Sequence, residues 1–140
     1  EALLERLVPS KYSICDITVF CLDNIDFAAA LARRLVSALG DRGLTTQAAL
    51  ARLYVISDIV SNCCRSERLA SLPAASRFLS SFQALLPEAF EQLGREWFRR
   101  IEGLIERAMA ERKVRAVLSA WQLCGCFPRL FEKGLEALLF

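Results

Sequence analysis

Ile14, Ile17, Thr18, Cys21, Leu22 and Ile25 fall at i, i+3, i+4, i+7, i+8 and i+11. That spacing gathers them on one side of a 3.6-residue helix and would scatter them over both faces of a strand. It outweighs the β-branched content of the stretch. Period-2 alternation bounded by turn residues is nowhere sustained, and 23 leucines and 19 alanines in 140 residues favour helix throughout. The chain is therefore expected to be all-α. Val19 and Phe20, on the other sides of this stretch, predict that its helix is central.

Turn chemistry divides the rest into eight helices. A short first helix is expected around Ala2 to Leu7, closed off by Pro9-Ser10, with Ser13 and Asp16 giving a capping-box-like start to the second. Asn24 or Asp26 can cap a third helix through Ala28 to Leu39, which ends at Gly40, and Gly40 to Gly43 forms the turn. Thr45 or Thr46 opens a fourth to about Asn62. Pro73 suits the first turn of a fifth, and Pro87 disfavours helix at Leu86, so the fifth is expected to stop there and a sixth to begin at Pro87. The sixth continues past Gly94 and Gly103 to about Ala108, a seventh runs from about Glu111 to Leu123 before Gly125, and Pro128 starts an eighth. Eight helices on short turns predict a stacked right-handed array rather than a four-helix bundle. No self-similarity at about 30–47 residues marks a regular solenoid.

The absence of histidine removes imidazole as general acid, base and metal ligand, and with it Ser-His and Cys-His nucleophile pairs. The three lysines, Lys11, Lys113 and Lys133, sit in surface contexts. Glu88/Glu91 and Glu132/Glu136 have the spacing of solvated helix faces, and no glycine-rich phosphate loop is present. The chain is expected not to be an enzyme and to carry no cofactor. The six cysteines contain no C-x-x-C, and Cys15 and Cys21 point in different directions on one helix, so no metal site is expected and the thiols read as small apolar residues in a reducing compartment. The longest uncharged run, Ala116 to Pro128, is too short to cross a bilayer. A net charge of +2 argues against a broad nucleic-acid surface, although fifteen of the eighteen basic residues are arginine, the side chain suited to phosphate. The chain begins at Glu1 without methionine and stops at Phe140 within an apolar run, as expected of one domain cut from a larger protein.

Two helix faces are candidates for function. On the fourth helix Tyr54, Ser57, Asp58, Ser61 and Asn62 form one polar stripe beside the apolar Leu50, Leu53, Ile56, Ile59 and Val60. Ser, Asp and Asn are poor mid-helix residues because they compete for backbone hydrogen bonds. Their cluster suits an extended peptide, whose N–H and C=O groups they can satisfy, or else a solvated face with a local Asp58–Asn62 contact. On the seventh helix Arg112, Arg115, Ala116 and Ser119 form a stripe beside the apolar Val114, Val117, Leu118 and Trp121. Two guanidinium groups flanking a small residue could hold a phosphoserine, or they could pair with Glu111 or Glu106. Trp97 and Trp121 are expected in the core, and Arg99-Arg100 could meet an acidic partner or solvent.

The runs Ile14-Cys-Asp-Ile-Thr-Val-Phe-Cys-Leu-Asp-Asn24 and Ala51-Arg-Leu-Tyr-Val-Ile-Ser-Asp-Ile-Val-Ser-Asn62 resemble the second and fourth helices of CID domains, the modules that bind the RNA polymerase II C-terminal domain. They look most like the subgroup in U2 snRNP-associated SURP-motif splicing factors, where I-x-D-x-x-V-F-C-L-x-N and A-R-L-Y-[LV]-[VI]-S-D-[IV]-[LV]-x-N are typical. Arg100-Ile-Glu-Gly103, Val114 to Trp121 and Phe127-Pro128 continue the resemblance. It implies an eight-helix right-handed superhelix, related in shape to VHS and ENTH domains, whose second, fourth and seventh helices hold phosphorylated Tyr-Ser-Pro-Thr-Ser-Pro-Ser repeats in a β-turn. Ser57, Asp58 and Asn62 would then hydrogen-bond the peptide, Tyr54 would line the groove and Asn24 would lie near one end. The implied protein is a nuclear monomer that couples splicing to transcription, with spliceosomal partners and with RNA bound by other domains of the parent chain. Two positions depart from the pattern. Ala116 stands where phosphate-reading members place arginine, five before the Trp, leaving Arg112 and Arg115 as substitutes, and Cys124 replaces an aromatic residue. The alternatives are a scaffold with a vestigial groove that binds another splicing protein and, from a different class, a membrane or cargo adaptor, for which only Arg6 and Lys11 supply charge near the first helices.

Overall fold

The structure of the chain is a computed structural model that describes residues 2–140. It is all-α, with eight α-helices among the described residues: α1 (Ala2–Glu5), α2 (Lys11–Asp23), α3 (Ala28–Ala38), α4 (Thr46–Arg65), α5 (Glu67–Ala70), α6 (Pro73–Glu96), α7 (Leu104–Cys124) and α8 (Phe131–Leu139). None of them is long and apolar enough to cross a membrane. α2 and α7 both pack on α4, α3 and α8 both pack on α6, and α4 touches α6 between these two groups. The core runs through α4, where Ala51, Val55, Ile56, Ile59 and Val60 are fully enclosed.

The number of helices matches expectation, but their division differs. Pro87 lies inside α6 and does not end it. A proline in a helix interior costs about 3 kcal/mol. Phe78, Phe82, Leu86, Ala89, Phe90 and Leu93 form one buried stripe running straight through it, and each large side chain among them contributes about 1.5–3 kcal/mol on burial. The stripe outweighs the proline. The chain instead breaks at Trp97–Gly103, through a 3₁₀ turn at Phe98–Arg100. Trp97 is buried there, and its indole N–H donates to Thr46 Oγ1 at 3.2 Å, while that hydroxyl donates to Glu106 at 2.8 Å. The Arg107 guanidinium covers the carbonyls of Arg99 and Ile101 at 3.2 and 2.5 Å, so the exposed backbone of the break is held from α7.

Caps account for the other shifts. Ser10, not Ser13, caps α2, its hydroxyl accepting from Ser13 N–H at 3.2 Å. Thr45 caps α4 in the same way through Ala48 N–H at 3.1 Å. α8 starts at Phe131 rather than Pro128, because Leu130 takes a left-handed conformation at φ 71°. α2 is less central than its sequence predicts: Val19 and Phe20 are 49% and 50% exposed. Thr18 is buried with its hydroxyl unpartnered among the described residues, in keeping with its place in the apolar pattern.

Gly94 marks where the end of α8 lies against α6. A Cβ there would meet Leu139 O at 2.7 Å and Leu138 O at 3.0 Å, both backbone atoms. Gly94→Ala is therefore expected to destabilise the domain by about 1–3 kcal/mol, as overpacking does, despite alanine's better helix propensity. A urea unfolding curve with a lowered midpoint and unchanged slope would show it.

Candidate peptide-binding groove

α4 and α7 run parallel. Thr46 meets Glu106 near their N-termini, Ser57 midway along α4 meets Trp121 in the last turn of α7, and Cys64 and Arg65 meet Cys124 at the C-terminal ends. With α2 on the other side of α4, the stripe Tyr54, Ser57, Asp58, Ser61 and Asn62 is left half-buried between its two neighbours. Helical spacing sets Tyr54, Asp58, Ser61 and Arg65 along the open face of α4, with Ser57 leaning toward α7.

The five side chains are not equivalent. Ser57 accepts the Trp121 indole N–H at 3.2 Å, which commits its oxygen and leaves its own proton available. Asn62 donates to the Asp58 carbonyl at 2.8 Å, and its amide oxygen has no donor among the described residues. The Asp58 carboxylate and the Ser61 hydroxyl have no partner among the described residues. Burial raises the pKa of the Tyr54 hydroxyl above its ordinary value, so this ring is a neutral wall that can still donate. Asn24 lies at the end of α2, where its side chain donates to Phe20 O at 2.8 Å and its backbone N–H closes the helix.

α7 presents its residues differently from the stripe drawn on the sequence. Arg115 is turned to α8: it pairs with Glu136 at 3.1 Å and Glu111 at 3.5 Å and lies over the Phe140 ring at 4.6 Å. Arg112 and Ser119 are exposed on the side opposite the buried Val114, Val117, Leu118 and Trp121. Ala116 is exposed on the flank that continues toward α4. Lys113 shares that flank, where it borders an open hollow of about 370 Å³ with Leu50 and Met109. Lys113 is the basic residue that reading by sequence passed over. Its signal was its place one turn before Ala116, on the side that Glu106 and Cys124 also occupy.

Trp121 is 1% exposed and forms an edge contact with Phe127, and Phe127 in turn contacts Phe131. Both tryptophans are thus in the core. Of the Arg99-Arg100 pair, Arg99 donates to Leu138 O at 3.2 Å and Arg100 pairs with Glu96 at 3.3 Å. Cys21 and Cys63 are buried, which pushes both thiols up to about 11, whereas Cys64, Cys124 and Cys126 are half-buried at the far end of α4 and α7.

The half-buried polar stripe of α4, on which α2 and α7 both pack, brings hydrogen-bonding side chains together with no nucleophile–base pair among the described residues. The family model for the CID domain matches residues 1–133. The chain belongs to the CID family. It is a protein-interaction module and not an enzyme, and the all-α class read from its periodicity stands. This CID domain is 29% identical over 137 residues to Protein RRC1 of Arabidopsis thaliana, and 26% identical over 137 residues to Protein RRC1-like of the same plant. Each alignment covers 98% of the chain but 14% of the relative, so the CID domain spans about one seventh of the length of the curated relatives it matches.

Proposed function

We propose that this CID domain binds heptad repeats of the RNA polymerase II C-terminal domain in the groove between α2, α4 and α7, and thereby couples a splicing or RNA-processing protein to transcription in the nucleus. The observation that carries the reading is the Asp58 carboxylate, half-buried in mid-helix with no partner among the described residues, beside the free acceptor of Asn62 and the hydroxyls of Ser61 and Tyr54. Helix propensity and burial both disfavour that arrangement unless a ligand completes it. Peptide hydroxyl and N–H groups would donate to Asp58 and Asn62, and an apolar or aromatic peptide side chain would rest on Tyr54. The domain would act as a monomer, excised from a larger protein whose other domains bind RNA and contact spliceosomal proteins.

Phosphate, where present on the peptide, would fall to Lys113. Ala116 offers no charge, Arg115 is held by two glutamates, and Arg112 points away from the groove. The test is a fluorescence-anisotropy titration with two-repeat peptides, unphosphorylated and phosphorylated at the second or fifth residue, at fixed salt. Lys113→Ala is expected to weaken the phosphorylated peptide by about twofold to fivefold, the reach of an exposed charge pair, and to leave the unphosphorylated one unchanged. Arg112→Ala should change neither. Failure of every peptide to bind at several hundred micromolar, roughly the weak end for single modules, would overturn the reading and move the domain to the scaffold class.

A further inference from the structure

The sulfur atoms of Cys64, Cys124 and Cys126 all lie within 4.8 Å of one another. Cys64 comes from the last turn of α4, and the other two form a C-x-C at the end of α7. The residue between them, Gly125, takes φ 67°, a left-handed turn that glycine adopts without strain. All three thiols are half-buried, so the site is reachable from solvent. Cys64 donates to the Cys124 carbonyl at 3.3 Å, and the Arg65 Nε–H donates to Cys124 Sγ at 3.0 Å.

We propose that Cys64, Cys124 and Cys126 are a binding site for a thiophilic d¹⁰ cation, Zn²⁺ being the test case, with water in the fourth position. Thiolate is the ligand type that such cations prefer. With Zn–S bonds of about 2.3 Å, two thiolates of a tetrahedral site stand about 3.8 Å apart, so the sulfurs need to close by no more than about 1 Å. Each thiol releases its proton to solvent as it binds, and the three thiolates and Zn²⁺ together carry one negative charge. The Arg65 guanidinium already sits where it would neutralise that charge, its N–H⋯S bond being the kind of outer contact that orients a metal-bound thiolate. A bound cation would tie the end of α4 to the turn between α7 and α8, beside the far end of the groove. Searching for ligands close together in sequence misses the site, because Cys64 is separated from Cys124 by 60 positions.

The experiment uses the 140-residue chain, reduced with a phosphine and stripped of metal, titrated with Zn²⁺ against a chromophoric chelator and with Cd²⁺ by its thiolate charge-transfer absorption. One cation per chain is expected, with a rise in Tm that chelator reverses. Cys64→Ala, Cys124→Ala and Cys126→Ala should each lower affinity by more than about a hundredfold, since even outer contacts to metal ligands are worth about 10–100-fold, and Arg65→Gln should lower it less. Cys15→Ala, at an exposed thiol on α2, should change nothing. Circular dichroism of each variant separates lost ligation from lost fold, and Arg65→Gln, which keeps all three thiols, gives a second reading should a cysteine variant unfold. No uptake by the reduced protein, uptake that survives all three triad variants, or uptake abolished by Cys15→Ala would overturn the proposal. So would a disulfide among the three forming in air while the reduced chain takes up no cation.

Discussion

Asp58→Ala is expected to abolish detectable heptad binding and leave the domain folded. A hydrogen bond to a charged group is worth about 1.5–3 kcal/mol, and each 1.4 kcal/mol is a factor of about ten. The variant should therefore bind about 10- to 100-fold more weakly, which takes a module of roughly micromolar to millimolar affinity to the edge of measurement. Its fold should survive because no side chain among the described residues leans on the carboxylate. The Asn62 side chain holds the Asp58 backbone carbonyl, a contact that alanine keeps. Alanine is also the better residue for the interior of α4 by about half a kcal/mol. Anisotropy and thermal melting on the same sample check both halves: unchanged binding, or a Tm that falls with the affinity, would remove Asp58 from the peptide site.

The α4 stripe was legible in sequence because its oddity is local: Ser57, Asp58, Ser61 and Asn62 stand in the middle of a helix that disfavours them. The facing surface of α7 was not. Arg112, Arg115, Ala116 and Ser119 are neighbours by helical spacing, but which flank of α7 turns to α4 is decided by the C-terminal segment, where Glu136 of α8 and Phe140 just after it draw Arg115 away. The same limit explains the helix boundaries. Thr45 declared itself as a cap through its own backbone geometry. Pro87 misled because the rule against proline in a helix is local, whereas the apolar stripe that overrides it takes in Phe78 and Leu93, fifteen positions apart. Gly94 and Gly103 look alike in sequence, yet one is helical under the α8 backbone and the other precedes α7 in an extended conformation. Leu130 carries no mark of its left-handed backbone, since that conformation favours glycine and asparagine.

Trp121 joins the fold to the groove, and two substitutions separate its roles. Trp121→Ala is expected to cost about 3–5 kcal/mol, the range for emptying a large aromatic site. In a domain of about 5–15 kcal/mol total stability that is a large loss, read as a much lower urea midpoint. Trp121→Phe keeps most of the apolar volume and an aromatic face for Phe127 but removes the indole N–H, leaving the half-buried Ser57 oxygen without its donor. Its smaller penalty, about 1–3 kcal/mol for an unsatisfied group and some lost volume, should come with a specific change at the groove. Ser57 would be free to rotate and to point its hydroxyl toward Asp58 on the open face, in competition with a peptide donor. Trp121→Phe should therefore weaken peptide binding by about twofold to tenfold, in line with one neutral hydrogen bond of about 0.5–1.5 kcal/mol. The double variant with Ser57→Ala should recover that loss, because no hydroxyl remains to compete. If Trp121→Phe alone leaves affinity untouched, the Ser57 contact serves packing only and the floor of the groove is rigid without it.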